Sequence, residues 1–152
     1  MTASLFIRKR VFTDSSAYYG LTDQNDTNAP QARQIATFLT NQHWHLYTTN
    51  VILAETYSLI LSRLGRHIAY PAVRAFRDSR ATRVIRVQPR DERRAWEILG
   101  QYDDKPFSFV DATCYAVMER LHIPYAFSFD EDFTKYPHQT VLTPEVVRSL
   151  GA

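Results

Sequence analysis

The amino-acid sequence predicts an α/β fold, three layers in which helices cover both faces of a central, mostly parallel sheet. Three observations carry that expectation. Helical and extended signals alternate along the chain, as they do when each strand is followed by a covering helix. Two extended runs, Arg10-Val11-Phe12-Thr13 and Tyr125-Ala126-Phe127-Ser128-Phe129, lead straight into an aspartate, and the carboxyl ends of strands are where ligands bind in open α/β sheets. No repeat, low-complexity tract or long linker interrupts the 152 residues, a natural length for one domain, 1–152. Such a chain buries roughly 70% of the surface its unfolded form exposes.

Strands are expected near Val11 to Asp14, His45 to Thr49, Val84 to Gln88, Tyr125 to Phe129 and Thr140 to Leu142. Helical spacing predicts helices over Pro30 to Asn41, Asn50 to Leu64, His67 to Arg80, Arg90 to Tyr102 and Phe109 to His122, with a short final one from Pro144 to Leu150. Pro71 is expected in the first turn of its helix or at a kink, because it has no N–H to donate.

Composition excludes several classes. With 45% hydrophobic and 22% charged residues the chain reads as an ordinary soluble globular protein. Its opening, Met1 to Arg10, lacks the long apolar segment of a signal peptide, and no stretch approaches the ~18 apolar residues of a membrane span, so cytoplasmic residence is expected. The single cysteine, Cys114, rules out an intrachain disulfide framework and reads as a small core residue. Four glycines and no Gly-x-x-x-x-Gly-Lys run argue against a phosphate loop, and no Gly-x-Ser-x-Gly elbow supports a serine hydrolase. His43 and His45 find no third histidine or cysteine at zinc spacing.

Four acids remain in unusual places. Asp14 and Asp130 close the two runs above. Glu55 interrupts the apolar stripe of its helix, with Ile52 three residues before it and Leu59 four after. Asp111 falls in the first turn of an otherwise apolar helix. Each has a plainer reading: Ser108-Phe109-Val110-Asp111 fits a capping box, Asp14 and Asp130 fit turns or N-caps, and a marginal glutamate can reach water. Taken together, two strand ends and two helix faces can converge on one sheet edge. Clustered carboxylates repel and would take up protons unless a cation intervenes, and Mg²⁺ or Mn²⁺, hard ions that prefer oxygen, would resolve the conflict.

These residues also carry a family resemblance. Phe12-Thr13-Asp14-Ser15-Ser16-Ala17, Thr49-Asn50-Val51-Ile52-Leu53-Ala54-Glu55, Ser108-Phe109-Val110-Asp111-Ala112 and Phe127-Ser128-Phe129-Asp130-Glu131-Asp132-Phe133 come in the order seen in PIN-domain nucleases. The chain resembles that family nearly end to end, and within it the VapC-like toxins of toxin–antitoxin pairs. The resemblance implies a PIN-like fold and a Mg²⁺- or Mn²⁺-dependent ribonuclease. It makes Asp14, Glu55, Asp111 and Asp130 the catalytic metal-binding acids, with Ser16 in support. Many relatives carry Asn where Ser16 stands. Asp132 can share or replace the role of Asp130. The expected chemistry is hydrolysis of RNA phosphodiesters, with one or two ions polarising the scissile phosphate and activating a water. A VapB-like antitoxin partner and a homodimer are implied by the resemblance alone. An inactive RNA-binding or protein-interaction module on the same fold is the alternative. A haloacid dehalogenase-type phosphatase ranks last, because Ser16 stands where that chemistry wants a second Asp.

The charge is unevenly spread. Between Arg63 and Arg94 lie ten arginines and three acids, a net +7 in a chain of net +2. Such a segment suits a nuclease whose arginines hold the phosphate backbone, or else a solvated face or a surface for an acidic protein. Tyr18, Tyr19, Phe107 and Phe109 flank the acids and are read either as core or as platforms for unpaired bases.

Overall fold

The computed structural model describes residues 9–151; the opening segment read above for targeting signals lies outside them at positions 1–8. Strands β1 (Arg10–Thr13), β2 (His45–Thr49), β3 (Thr82–Ile85), β4 (Tyr125–Phe127) and β5 (Thr140–Val141) form one sheet in the order β3-β2-β1-β4-β5. Every pairing is parallel. The helices among the described residues are α1 (Ser15–Thr22), α2 (Ala29–Asn41), α3 (Asn50–Leu64), α4 (Arg66–Asp78), α5 (Pro89–Gln101), α6 (Phe109–Leu121), α7 (Asp132–Lys135) and α8 (Pro144–Gly151).

Side chains alternate across a strand, so β1 shows both faces at once. Val11 packs with Ile35 and Leu39 of α2 and Val147 of α8, whereas Phe12 packs with Ala95 and Ile98 of α5 and Tyr115 of α6. Both residues are fully buried, which makes β1 the spine of a three-layer sandwich. A parallel sheet covered on both faces is the arrangement the alternation of signals predicts.

Most boundaries fall within one or two residues of the sequence reading, and α3 matches it throughout. The third strand begins two residues earlier than expected and ends at Ile85, because Gln88 is already the N-cap of α5. The fourth ends at Phe127: Ser128 turns its hydroxyl to the site described below instead of continuing the ladder. Two short helices, α1 and α7, escape the sequence reading. The α1 stretch, Ser15–Thr22, has a poor apolar period and no acid in its first turn, and it holds its place by burying Ala17, Tyr18 and Tyr19. Pro71 lies past the first turn of α4, which begins at Arg66 and continues to Asp78.

Helix α6 decides the character of the site. Asp111 through Met118 are all buried, the pattern of a helix enclosed on every side. Cys114 belongs to that buried run, as expected of a small core residue. No helix among the described residues is long and apolar enough to cross a membrane.

Candidate active site

The strand order reverses at β1: the chain adds β2 and β3 on one side of it and then β4 and β5 on the other. Crossovers leaving in opposite directions make the carboxyl ends of β1 and β4 the switch point, the place where open α/β sheets bind ligands. Asp14 follows β1 directly, and Asp130 lies just beyond β4.

Asp14 is the N-cap of α1, yet its side chain makes no capping bond. Instead the hydroxyls of Ser16 and Ser128 both donate to its Oδ2, each at 2.9 Å. The backbone N–H of Phe129 donates to Ser16 Oγ at 2.9 Å, and that of Asp130 to Ser128 Oγ at 3.1 Å. Two serines thus tie the loop after β4 to the carboxylate after β1. Asp14 is 4% exposed, and burial pushes its pKa up against the pull of the two hydroxyls, with nearby Glu55 adding to the rise. Glu55, half-buried on α3, accepts a 2.6 Å hydrogen bond from Ser15 Oγ.

Asp111 is the third residue of α6 and satisfies the capping-box reading in full: its N–H donates to Ser108 Oγ at 3.0 Å, and its Oδ2 accepts the Ser108 N–H at 3.1 Å. Capping does not exhaust it. Burial, with Asp130 and Asp14 adding to it, overrides the Ser108 bonds and raises its pKa to about 7. Carboxylate oxygens of Asp111, Asp130 and Asp132 lie within 4.8 Å of one another. Asp130 Oδ1 accepts the Asp132 N–H at 3.0 Å, a turn that brings the two carboxylates to one side. Lys135 reaches this group only at Asp132, at 3.3 Å from an exposed position.

The five acids singled out in the sequence therefore fall into two neighbouring sets. Asp111, Asp130 and Asp132 form the tight cluster; Asp14 and Glu55 stand beside it. Their proximity shows at Cys114, fully buried one turn after Asp111, where burial and the charges of Asp14, Asp111 and Glu55 all push the thiol up. The donor set is all oxygen, which suits a hard divalent cation better than a thiophilic or imidazole-preferring metal.

Ser15 and Ser128 are site residues that the sequence reading passed over. Ser128 was visible as the one polar interruption in the run Tyr125 to Phe129, and Ser15 as the first of the serine pair after Asp14. Of the flanking aromatics, Tyr18, Tyr19 and Phe107 are core residues and offer no stacking face. Only Phe109 is exposed, packed against Trp96 with ring centroids 4.8 Å apart. The arginine-rich segment is not one surface. Arg66, Arg74 and Arg77 line a groove of about 510 Å³ with Leu53, Ala54, Tyr57 and Tyr70, next to the helix that carries Glu55. Arg94 is tied to Glu119 and Glu97, and Arg80 and Arg83 lie at the opposite end of the sheet.

Comparison with known proteins identifies the family and the fold. The PIN domain family model matches residues 11–139. The 23S rRNA-specific endonuclease VapC20 of Mycobacterium tuberculosis is 36% identical over 124 residues, 82% of this chain and 92% of that protein. The crystal structure of Mycobacterium tuberculosis VapC20, described as a sarcin-ricin loop cleaving toxin, superposes with a TM-score of 0.80 at 32% identity, covering 88% of this chain and 99% of that one. VapBC2 from Rickettsia felis, solved bound to a DNA fragment from its promoter, shares the fold, with a TM-score of 0.66 at 9% identity over 88% of this chain and 97% of that one. A parallel sheet in the order 3-2-1-4-5, acids gathered at its switch point and a family match over most of the described residues lead to one assignment: the chain belongs to the PIN-domain family and is homologous to its VapC ribonucleases.

Proposed function

We propose that this protein is a Mg²⁺- or Mn²⁺-dependent endoribonuclease that serves as the toxin of a toxin–antitoxin pair, with a folded RNA as substrate, a VapB-like antitoxin as partner and a cytoplasmic homodimer as the working form. The observation that carries the catalytic reading is the cluster of Asp111, Asp130 and Asp132, whose carboxylates crowd within 4.8 Å at the switch point while one of them is held near pKa 7. Three carboxylates so placed are stable as charges only with a cation between them. A bound divalent ion would polarise the scissile phosphate and lower the pKa of a water near it.

In this reading Asp111 on α6, Asp130 in the loop after β4 and Asp132 at the start of α7 would hold the ion, Asp14 just after β1 would complete the set, and Glu55 would add charge from α3. Ser16 and Ser128 position Asp14: both donate to Oδ2 and leave Oδ1 free of side-chain donors. Ser15 does the same for Glu55. Ser108 orients Asp111 through the capping box. Arg66, Arg74 and Arg77 provide guanidinium forks for the RNA backbone along the groove beside α3.

The test is cleavage of a cellular RNA pool by purified, antitoxin-free protein with Mg²⁺, Mn²⁺ or EDTA, beside Asp14→Asn and Asp111→Asn. Cutting that needs a metal and is lost in both folded variants supports the reading. Failure of the folded parent to cut with either ion overturns it. Co-expression with the short reading frame adjacent to the gene tests the toxin role: relief of growth arrest by its product is the expected result.

A further inference from the structure

The end of the sheet opposite the carboxylates carries a second charged feature. Because all strands are parallel, Arg10 at the start of β1, His45 at the start of β2 and Thr82 at the start of β3 share one edge, in the register Arg10↔His45 and Leu46↔Thr82. Between them opens a cavity of about 420 Å³ lined by Arg10, His45, Tyr47, Arg80, Thr82 and Arg83. Three of its side chains are arginines, and no carboxylate lines it.

Arg10 is fixed in place. Its Nη1 donates to the Leu121 carbonyl at 2.8 Å, at the end of α6, and its guanidinium lies over the Tyr47 ring at 4.5 Å. Arg80 and Arg83 are different: both are exposed, and neither takes part in the ion pairs formed among the described residues. The nearest acid in sequence, Asp78, is already held by Arg77 at 2.9 Å and Arg74 at 3.8 Å. Residues 1–8, which precede β1, contain no Asp or Glu. Like charges gathered on one wall without a counterion repel one another, and an anion that enters removes that repulsion.

We propose that this cavity is a second phosphate-binding site, which grips the sugar–phosphate backbone of the RNA away from the scissile bond; the inference rests on the ribonuclease reading above. The planar forks of Arg80 and Arg83 can each take two oxygens of a phosphodiester, while Arg10, pinned by Leu121 and Tyr47, sets the field at the floor of the cavity. Five residues of β2 separate this edge from the carboxylates, roughly 17 Å at 3.3 Å per residue. An RNA that folds back on itself can meet both ends of the sheet, whereas a single strand lying in the catalytic crevice meets one. The site therefore selects for folded RNA by reach, without reading bases.

The experiment measures binding of a fluorescein-labelled RNA stem-loop in EDTA across a salt series, followed by cleavage of the same RNA with Mg²⁺ or Mn²⁺. It compares the parent, Arg80→Ala/Arg83→Ala, and Arg148→Ala as a distant control on α8. Removing two phosphate contacts should lower the slope of log K against log salt by about 1.5 and weaken binding on the order of 10-fold near physiological salt. KM should rise by the same factor with kcat unchanged, because neither arginine approaches the carboxylates. The control should behave as the parent. An unchanged slope and KM in the double variant would overturn the inference while leaving the ribonuclease reading intact. A parent that cuts no RNA with either ion is a separate result and overturns the earlier reading.

Discussion

Consecutive helices α5 and α6 begin in the same way and end up with opposite chemistry. Each has an aspartate at its third position, Asp91 and Asp111, whose Oδ2 accepts the N–H of the N-cap residue, Gln88 at 2.9 Å and Ser108 at 3.1 Å. Each aspartate is buried, 2% and 8% exposed. Burial raises the pKa of both, but at Asp91 the Arg120 guanidinium, at 2.7 and 2.9 Å, and the Gln88 N–H outweigh it and hold the carboxyl below its usual range. Asp111 meets carboxylates where Asp91 meets arginine, and its pKa rises to about 7. A capping motif places a carboxylate; the tertiary neighbour decides whether its charge is settled by a partner or opposed by burial and like charges.

That contrast breaks most sharply under substitution. Asp111→Asn keeps the shape and the acceptor for the Ser108 N–H but removes a charge from the cluster. Since even the hydrogen-bond partners of metal ligands are worth 10–100-fold, cleavage should fall at least about 100-fold. Cleavage rates of the folded variant decide this, and parental activity would remove Asp111 from the site. Asp91→Asn should do the reverse. It leaves Arg120, 18% exposed, without its partner, for a loss of about 3 kcal/mol and a fall in Tm of roughly 10 °C, while cleavage per folded molecule stays at the parental level.

Stability against pH sharpens the comparison further. A carboxyl whose folded pKa is raised holds its proton more tightly when folded than when unfolded. The metal-free parent should therefore lose stability as pH rises from about 4 through about 7, and Asp111→Asn should remove the Asp111 share of that loss, leaving the share of Asp14. In EDTA at pH 8 the variant is expected to melt above the parent, by a margin on the order of a few kcal/mol that vanishes near pH 4. The pair at Asp91 has the opposite sign: its folded pKa is depressed, so its contribution is present above the ordinary Asp value and is lost as pH falls below it. Thermal melts of both Asn variants across pH test the two signs side by side. The smallest effect belongs to Ser128. Replacing it by Ala removes one donor from Asp14 and should weaken Mn²⁺ binding about 10-fold without changing the fold, as measured by titration calorimetry and circular dichroism.

Much of this architecture was legible in the residues, because it rests on local rules. Period-two and period-3.6 patterns place the strands and the long helices, and Ser108-Phe109-Val110-Asp111 announces its capping box. What stayed hidden depends on neighbours distant in sequence. Helix α1 has little periodicity of its own and exists because Tyr18 and Tyr19 are swallowed by other elements. Ser128 gains its role from a carboxylate 114 residues earlier in the chain.

The sequence by itself determined the α/β class, the strands, the long helices and the roster of acids, since propensity, periodicity and charge are properties of short stretches of chain. Only the tertiary structure decided which acids meet. The strand reversal at β1 brings Asp14 to Asp130, the burial of α6 lifts Asp111 toward neutrality, and Arg120 silences the equivalent acid one helix earlier. Likewise it divided a single run of arginines between two surfaces, because Arg66, Arg74 and Arg77 lie on α4 against α3 while Arg80 and Arg83 lie where the chain enters β3. Charges act through space, and the chain specifies their positions in space only when it is folded.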